Sequence, residues 1–146
     1  MSVFESNGED ETRRFAAELA RSAKAGDVIC LDGELGVGKT AFARGFAEGL
    51  GIEEPVLSPT FTIMRGYESG RLPMYHFDAY RIVEPEEMYE LGFEEYLFGE
   101  GVCLIEWVEN ITEMIPKDAM HIVIEKDMNK GSDYRKITVN DGRDEK

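Results

Sequence analysis

The stretch that most constrains this chain is Gly33-Glu34-Leu35-Gly36-Val37-Gly38-Lys39-Thr40, which satisfies G-x-x-x-x-G-K followed by Ser or Thr at every fixed position. At ordinary residue usage, four fixed residue types coincide in a chain of 146 residues in well under roughly one case in a hundred. The flanks agree with the motif: Val28-Ile29-Cys30-Leu31 reads as a buried parallel strand, and Lys39 to Leu50 as a helix with Phe42, Phe46 and Leu50 on one face. A strand, a glycine-rich turn and a helix in this order form a P-loop. Its backbone N–H groups curl around an anionic phosphate while the helix directs the positive end of its dipole at it. In such a loop Lys39 reaches the β- and γ-phosphates and the Thr40 hydroxyl ligates Mg²⁺. Binding of a nucleoside triphosphate is expected; the motif does not say which reaction follows. Gly45 and Gly49 inside the helix each cost about 1 kcal/mol relative to Ala, which predicts a closely packed neighbour.

Composition narrows the setting. With 42% hydrophobic residues, the chain can bury roughly two-thirds of its unfolded surface in one core, so a single domain over 1–146 is expected, with flexible ends at 1–8 and 141–146. No apolar run approaches a membrane span of about 20 residues, and the N-terminus lacks the basic and apolar regions of a signal peptide. A cytoplasmic protein without membrane contact is expected. Cys30 and Cys103 each lie inside an apolar strand-like run, as core thiols do, and neither has metal-ligand spacing to another Cys or His. Lys plus Arg number 16 against 30 Asp plus Glu, a formal charge of −14. Phosphate contacts dominate nucleic-acid affinity, so stable direct binding to tRNA or DNA is not expected. The acidity serves either solubility or docking on a basic partner.

Along the chain, Ser6-x-x-Glu9 fits a capping box, and Phe15, Leu19 and Ala23 recur at helical spacing to about Lys24, with Gly26 beyond. Strands from about Thr60 to Tyr67 and from Leu72 to Tyr80 flank the turn Glu68-Ser69-Gly70-Arg71 and read as a hairpin. Met74, His76, Asp78 and Tyr80 share one face of the second strand. That face is either solvated or a site wall presenting His76 and Asp78. Glu84 to Gly92 reads as a short acidic helix and Phe93 to Phe98 as another. Val102-Cys103-Leu104-Ile105 is a second buried strand ending in Glu106-Trp107, a Walker B-like arrangement that places an acid near Mg²⁺. Val108 to Ile115 reads as a short helix. His121–Glu125 and Tyr134–Val139 read as a last antiparallel hairpin, with His121 structural.

Taken together, the P-loop, Ser58-Pro59-Thr60-Phe61-Thr62, Tyr75-His76-Phe77-Asp78-Ala79-Tyr80-Arg81, the Pro85-Glu86-Glu87 helix with Gly92, and Leu104-Ile105-Glu106-Trp107 resemble the TsaE family of YjeE-type ATPases. The resemblance covers about Cys30 to Trp107. It implies a bacterial ATPase required for N6-threonylcarbamoyladenosine in tRNA, one that acts on the TsaD–TsaB heterodimer rather than transferring the group and meets tRNA only through those partners. Carried over, Gly36, Val37, Gly38, Lys39, Thr40 and Ala41 match the phosphate loop, preceded by Gly33. Thr40 and Glu106 match the Mg²⁺ positions, Asp78 an acid important for hydrolysis, and Trp107 the tryptophan after the metal-site glutamate. Thr60 is the best polar candidate of a switch-like loop facing the γ-phosphate, and Thr12 and Gly131 fall near the adenine. Phe61 and Ala41 stand where relatives often have Tyr and Thr.

The expected fold is an α/β P-loop domain whose parallel core strands are extended by antiparallel hairpins into a mixed sheet flanked by helices. The expected reaction is slow Mg²⁺-dependent ATP hydrolysis, with Lys39 on the phosphates, Thr40 and Glu106 on the metal, and Asp78 orienting water. Arg65, Arg71 and Arg81 are in-chain candidates for an arginine finger. The alternatives are a small-molecule or nucleotide kinase and a nucleotide-gated binding module with negligible turnover. GTP is disfavoured because no N-K-x-D motif occurs.

Overall fold

In the computed structural model, which describes residues 1–34, 37–57, 59 and 63–142, the apolar run ahead of the glycine loop is strand β2 (Val28–Asp32) and the amphipathic run after it is helix α2 (Lys39–Leu50). The loop itself is described except for residues 35 and 36. Upstream lie β1 (Ser2–Ser6) and α1 (Glu9–Arg21). Downstream follow β3 (Met64–Tyr67), β4 (Met74–Asp78), α3 (Glu86–Glu90), α4 (Phe93–Leu97), β5 (Val102–Glu106), β6 (Met120–Lys126) and β7 (Arg135–Asp141). Turns of 3₁₀ helix cover Val108–Met114 and Met128–Lys130.

Among the described residues the strands form one seven-stranded sheet in the order β1-β7-β6-β2-β5-β4-β3. β2 pairs in parallel with both β5 and β6, and β4 in parallel with β5. The two expected hairpins, β3/β4 and β6/β7, are antiparallel. Each therefore adds one strand parallel to the central pair and one antiparallel strand outside it, β3 at the rim and β7 between β6 and β1, which gives the mixed α/β sheet expected from the sequence.

Strand alternation sorts the apolar residues onto two faces. Ile29, Leu31, Val102, Leu104 and Ile122 meet Ala16, Ala20, Phe42, Phe46 and Leu50 of α1 and α2. Val28, Cys30, Phe77, Cys103 and Ile105 meet Met88, Phe93, Leu97 and Ile111 on the other side. The neighbour expected at Gly45 and Gly49 is α1: a Cβ on Gly45 would stand 2.2 Å from the Arg13 carbonyl oxygen, and one on Gly49 2.2 Å from that of Ala17. Both helices can lie this close only because no side chain intervenes.

Three expectations are corrected. Residues 2–6, expected to be a flexible lead-in, form β1, which pairs antiparallel with β7 and makes one edge of the sheet. Tyr134 and Lys130 hold that strand down at Glu5; the Tyr134 hydroxyl donates to its carboxylate at 2.7 Å and, with Lys130, keeps the carboxyl below its usual range. The Ser6–Glu9 capping box does not form. The N-cap is Gly8, and the Ser6 hydroxyl instead bonds the Gly8 carbonyl and the buried Thr12 hydroxyl, both at 2.8 Å. Arg71, a finger candidate, is committed elsewhere: its guanidinium donates to the Ala20 and Ala23 carbonyls at 2.8 and 3.1 Å, closing the C-terminal end of α1.

Candidate functional site

The glycines of the loop are demanded by the backbone. Gly38 caps α2 with φ +114, in the left-handed region that favours glycine. A Cβ on Gly33 would stand 2.7 Å from the Ile124 carbonyl oxygen. The helix they introduce differs from its neighbours at its N-terminus. α1 opens with Glu9, Asp10 and Glu11, and α3 with Glu86 and Glu87, whereas α2 has no acid in its first turn. In a chain of −14 charge, the positive end of this one long helix is left clear for an outside anion.

At that end sits Lys39, a residue only 6% exposed, with its ammonium between two partners. Its Nζ lies 3.6 Å from Glu106 Oε1 and 4.1 Å from the centroid of the Trp107 ring. Glu106 is the last residue of β5, which runs directly beside β2 with Leu31 opposite Glu106 in register, so the strand that carries the acid adjoins the strand that leads into the loop. β4 adds the adjoining wall. Asp78 is in register with Glu106, and His76 one step back lies opposite Leu104. The face carrying His76 and Asp78 is thus not solvated: they are 1% and 5% exposed. His76 Nε2 stands 2.6 Å from Glu106 Oε2, so the Glu106 carboxylate bridges an imidazole and an ammonium.

Asp78 is fixed by its backbone. Its N–H donates to the Ile63 carbonyl at 2.7 Å, and its Oδ1 accepts the Tyr80 N–H at 2.9 Å. Ile63 and Trp107, with φ of 67° and 60°, are the non-glycine residues of positive φ among the described residues, and both border this site. Left-handed backbone at such residues stores strain that surrounding contacts must hold, and it clusters where side chains have to be aimed. For Trp107 the effect is visible: the turn lays the indole over Lys39 and edge-on to Tyr80, with ring centroids 4.9 Å apart.

The remaining expected residues divide. Val37, Gly38 and Ala41 line one side of a cleft shared with Gly8, Glu9, Thr12, Asp133 and Arg135. Thr12 therefore does stand beside the loop. Gly131 lies in the turn between β6 and β7 but does not line that cleft. Gly36 and Thr60 fall outside the described residues. Thr40 is exposed in the first turn of α2, next to Lys39. Sequence reasoning missed Arg135, whose Nε donates to the Val37 carbonyl at 2.6 Å and ties β7 to the loop. No motif marks it; only the folded sheet brings residues 37 and 135 together.

The two residues expected at the metal, the Thr40 hydroxyl and the Glu106 carboxylate, offer oxygen, as a hard cation prefers. Among the described residues no group of three acids, histidines or cysteines stands close enough to hold a metal alone. Buried Cys30 and Cys103 contribute nothing here; burial pushes both thiols up to about 12.

Comparison with known proteins agrees with the geometry. The family model described as "Threonylcarbamoyl adenosine biosynthesis protein TsaE" matches residues 6–137. A relative from Bacillus subtilis named tRNA threonylcarbamoyladenosine biosynthesis protein TsaE is 50% identical over 129 residues, 88% of this chain and 78% of the relative. One of the same name from Treponema pallidum is 41% identical over 112 residues, 77% of this chain and 82% of the relative. The crystal structure of Bacillus subtilis YdiB superposes with a TM-score of 0.82 at 43% identity, covering 96% of this chain and 84% of that one. With the family model spanning most of the chain and the parallel core reproduced in a solved structure, this chain belongs to the TsaE family.

Proposed function

We propose that the chain binds ATP with Mg²⁺ at the end of α2, hydrolyses it slowly, and through that cycle serves tRNA N6-threonylcarbamoyladenosine synthesis by acting on a TsaD–TsaB heterodimer. The single observation that carries the reading is Lys39: a buried lysine at an acid-free helix N-terminus, facing the carboxylate that ends the neighbouring strand. An ammonium in that position suits a phosphate, because its in-chain partner lies at 3.6 Å, beyond a good hydrogen bond, and leaves its donors unspent.

The residues divide the work. Backbone N–H groups at Gly38 and the first turn of α2, with Lys39, bind and orient the phosphates. Thr40 and Glu106 hold Mg²⁺, which supplies charge neutralisation on the phosphates when bound. Asp78, fixed by Ile63 and Tyr80, orients the attacking water and accepts its proton. Trp107 covers the Lys39 ammonium. Phosphoryl transfer needs mainly positioning and charge stabilisation, so this set supports turnover without covalent chemistry. With Arg71 engaged at α1, a slow basal rate raised by the partner is the expected behaviour.

The test is Mg²⁺-dependent ATP turnover of the purified chain, alone and with TsaD–TsaB, using Lys39→Ala as the blank. Stimulation by the heterodimer that vanishes in the variant is the expected result. Turnover indifferent to the heterodimer would refute the partner assignment.

A further inference from the structure

Glu106 stands between two groups of different character, and only one of them can stay. Lys39 faces Oε1 at 3.6 Å from a long side chain whose proposed task is to follow a phosphate. His76 faces Oε2 at 2.6 Å and cannot follow anything. It is 1% exposed and lies mid-strand in β4, opposite Arg65 of β3 on one side and Leu104 of β5 on the other.

Its other ring nitrogen, Nδ1, is buried with no hydrogen-bond partner among the described residues. An apolar side chain would fill this position without that penalty, so packing alone does not account for a histidine. The orphan does suit the tautomer that keeps its proton on Nε2. That tautomer leaves a buried lone pair unsatisfied rather than a buried N–H, and it makes Nε2 the donor to Glu106.

We propose that His76 is the positioning residue of the metal site, its Nε2–H holding Glu106 in the one orientation that serves Mg²⁺ on bound nucleotide. This rests on the reading of the site as one for Mg²⁺ and ATP. A glutamate at a strand end has three side-chain torsions to freeze, and once Lys39 turns to phosphate, the His76 contact is the one that remains. Partners of this kind behind a ligating carboxylate govern metal affinity more than nucleotide affinity.

The test measures ATP affinity by calorimetry with Mg²⁺ and with EDTA, and Mn²⁺ binding in the presence of ATP by EPR. In His76→Leu the gain in ATP affinity on adding metal falls about tenfold, and Mn²⁺ binding weakens by a similar factor, while metal-free affinity stays within about twofold of wild type. Glutamine places its amide N–H near the Nε2 position and asparagine does not. His76→Gln therefore recovers most of the metal effect and His76→Asn does not, a contrast that holds even if the leucine variant fails to fold. Equal losses with and without metal in His76→Leu, or matching behaviour of the glutamine and asparagine variants, would assign His76 a merely structural role. No metal-dependent gain in the wild type would overturn the Mg²⁺–ATP reading itself, and this inference with it.

Discussion

Lys39 carries a built-in reporter, because the chain's one tryptophan is the ring it lies over. A cation at 4.1 Å from an indole centroid is held by the ring quadrupole, a contact of about 1–2 kcal/mol when desolvated. On the proposed reading, ATP draws the ammonium off the ring. Intrinsic fluorescence is expected to change on adding Mg²⁺–ATP and to stay flat in Lys39→Ala, as a stopped-flow titration would show. How far such a site can be read from sequence differs residue by residue. Lys39, Thr40 and Glu106 are legible because motif spacing along one loop or one strand end fixes them. The 2.6 Å contact of His76 with Glu106 is not, since it depends on β4 lying parallel to β5 in one register, and a shift of one residue would turn His76 to the opposite face. Arg135 is illegible for the same reason: its bond to the Val37 carbonyl joins residues 98 apart in sequence.

The α1–α2 pair is the element whose fit leaves least room. Gly45→Ala gains about 1 kcal/mol of helix propensity but places a methyl 2.2 Å from a backbone oxygen that cannot rotate away. The helices must part, and overpacking of this kind costs about 1–3 kcal/mol or more, so a net loss of stability is expected as a lower midpoint in urea unfolding. The need for that close neighbour was legible in two costly glycines inside a strong helix, although nothing local named α1 as the neighbour. β1 was not legible. Its five residues are half exposed and offer no sustained alternation, and its partner β7 lies at the far end of the sequence. Arg71 misleads similarly: a turn arginine beside a site wall reads as a candidate finger until the fold sets it on the end of α1.

At the scale of the molecule, the sheet places both thiols where water does not reach, and this gives stability an alkaline limit. Burial pushes Cys30 and Cys103 from 9.0 up to about 12. Above pH 9.0 the unfolded chain therefore releases protons that the native chain retains, so the unfolded state binds fewer and stability falls as pH rises towards about 12. A Cys30→Ala/Cys103→Ala variant is expected to be less stable at pH 8 through lost packing, yet to lose less than wild type between pH 8 and pH 10.5 in denaturant titrations. The contact between Lys39 and Glu106 sets a different linkage. On the proposed reading, a phosphate that claims the ammonium leaves the buried carboxylate with His76 and no opposing lysine, and a cation that claims the carboxylate frees the ammonium. Each arrival relieves the cost of the other. By reciprocity, the factor by which metal raises nucleotide affinity equals the factor by which nucleotide raises metal affinity. On that reading the Lys39–Glu106 ion pair makes two weak ligands into one cooperative ligand, disfavouring either when it comes alone.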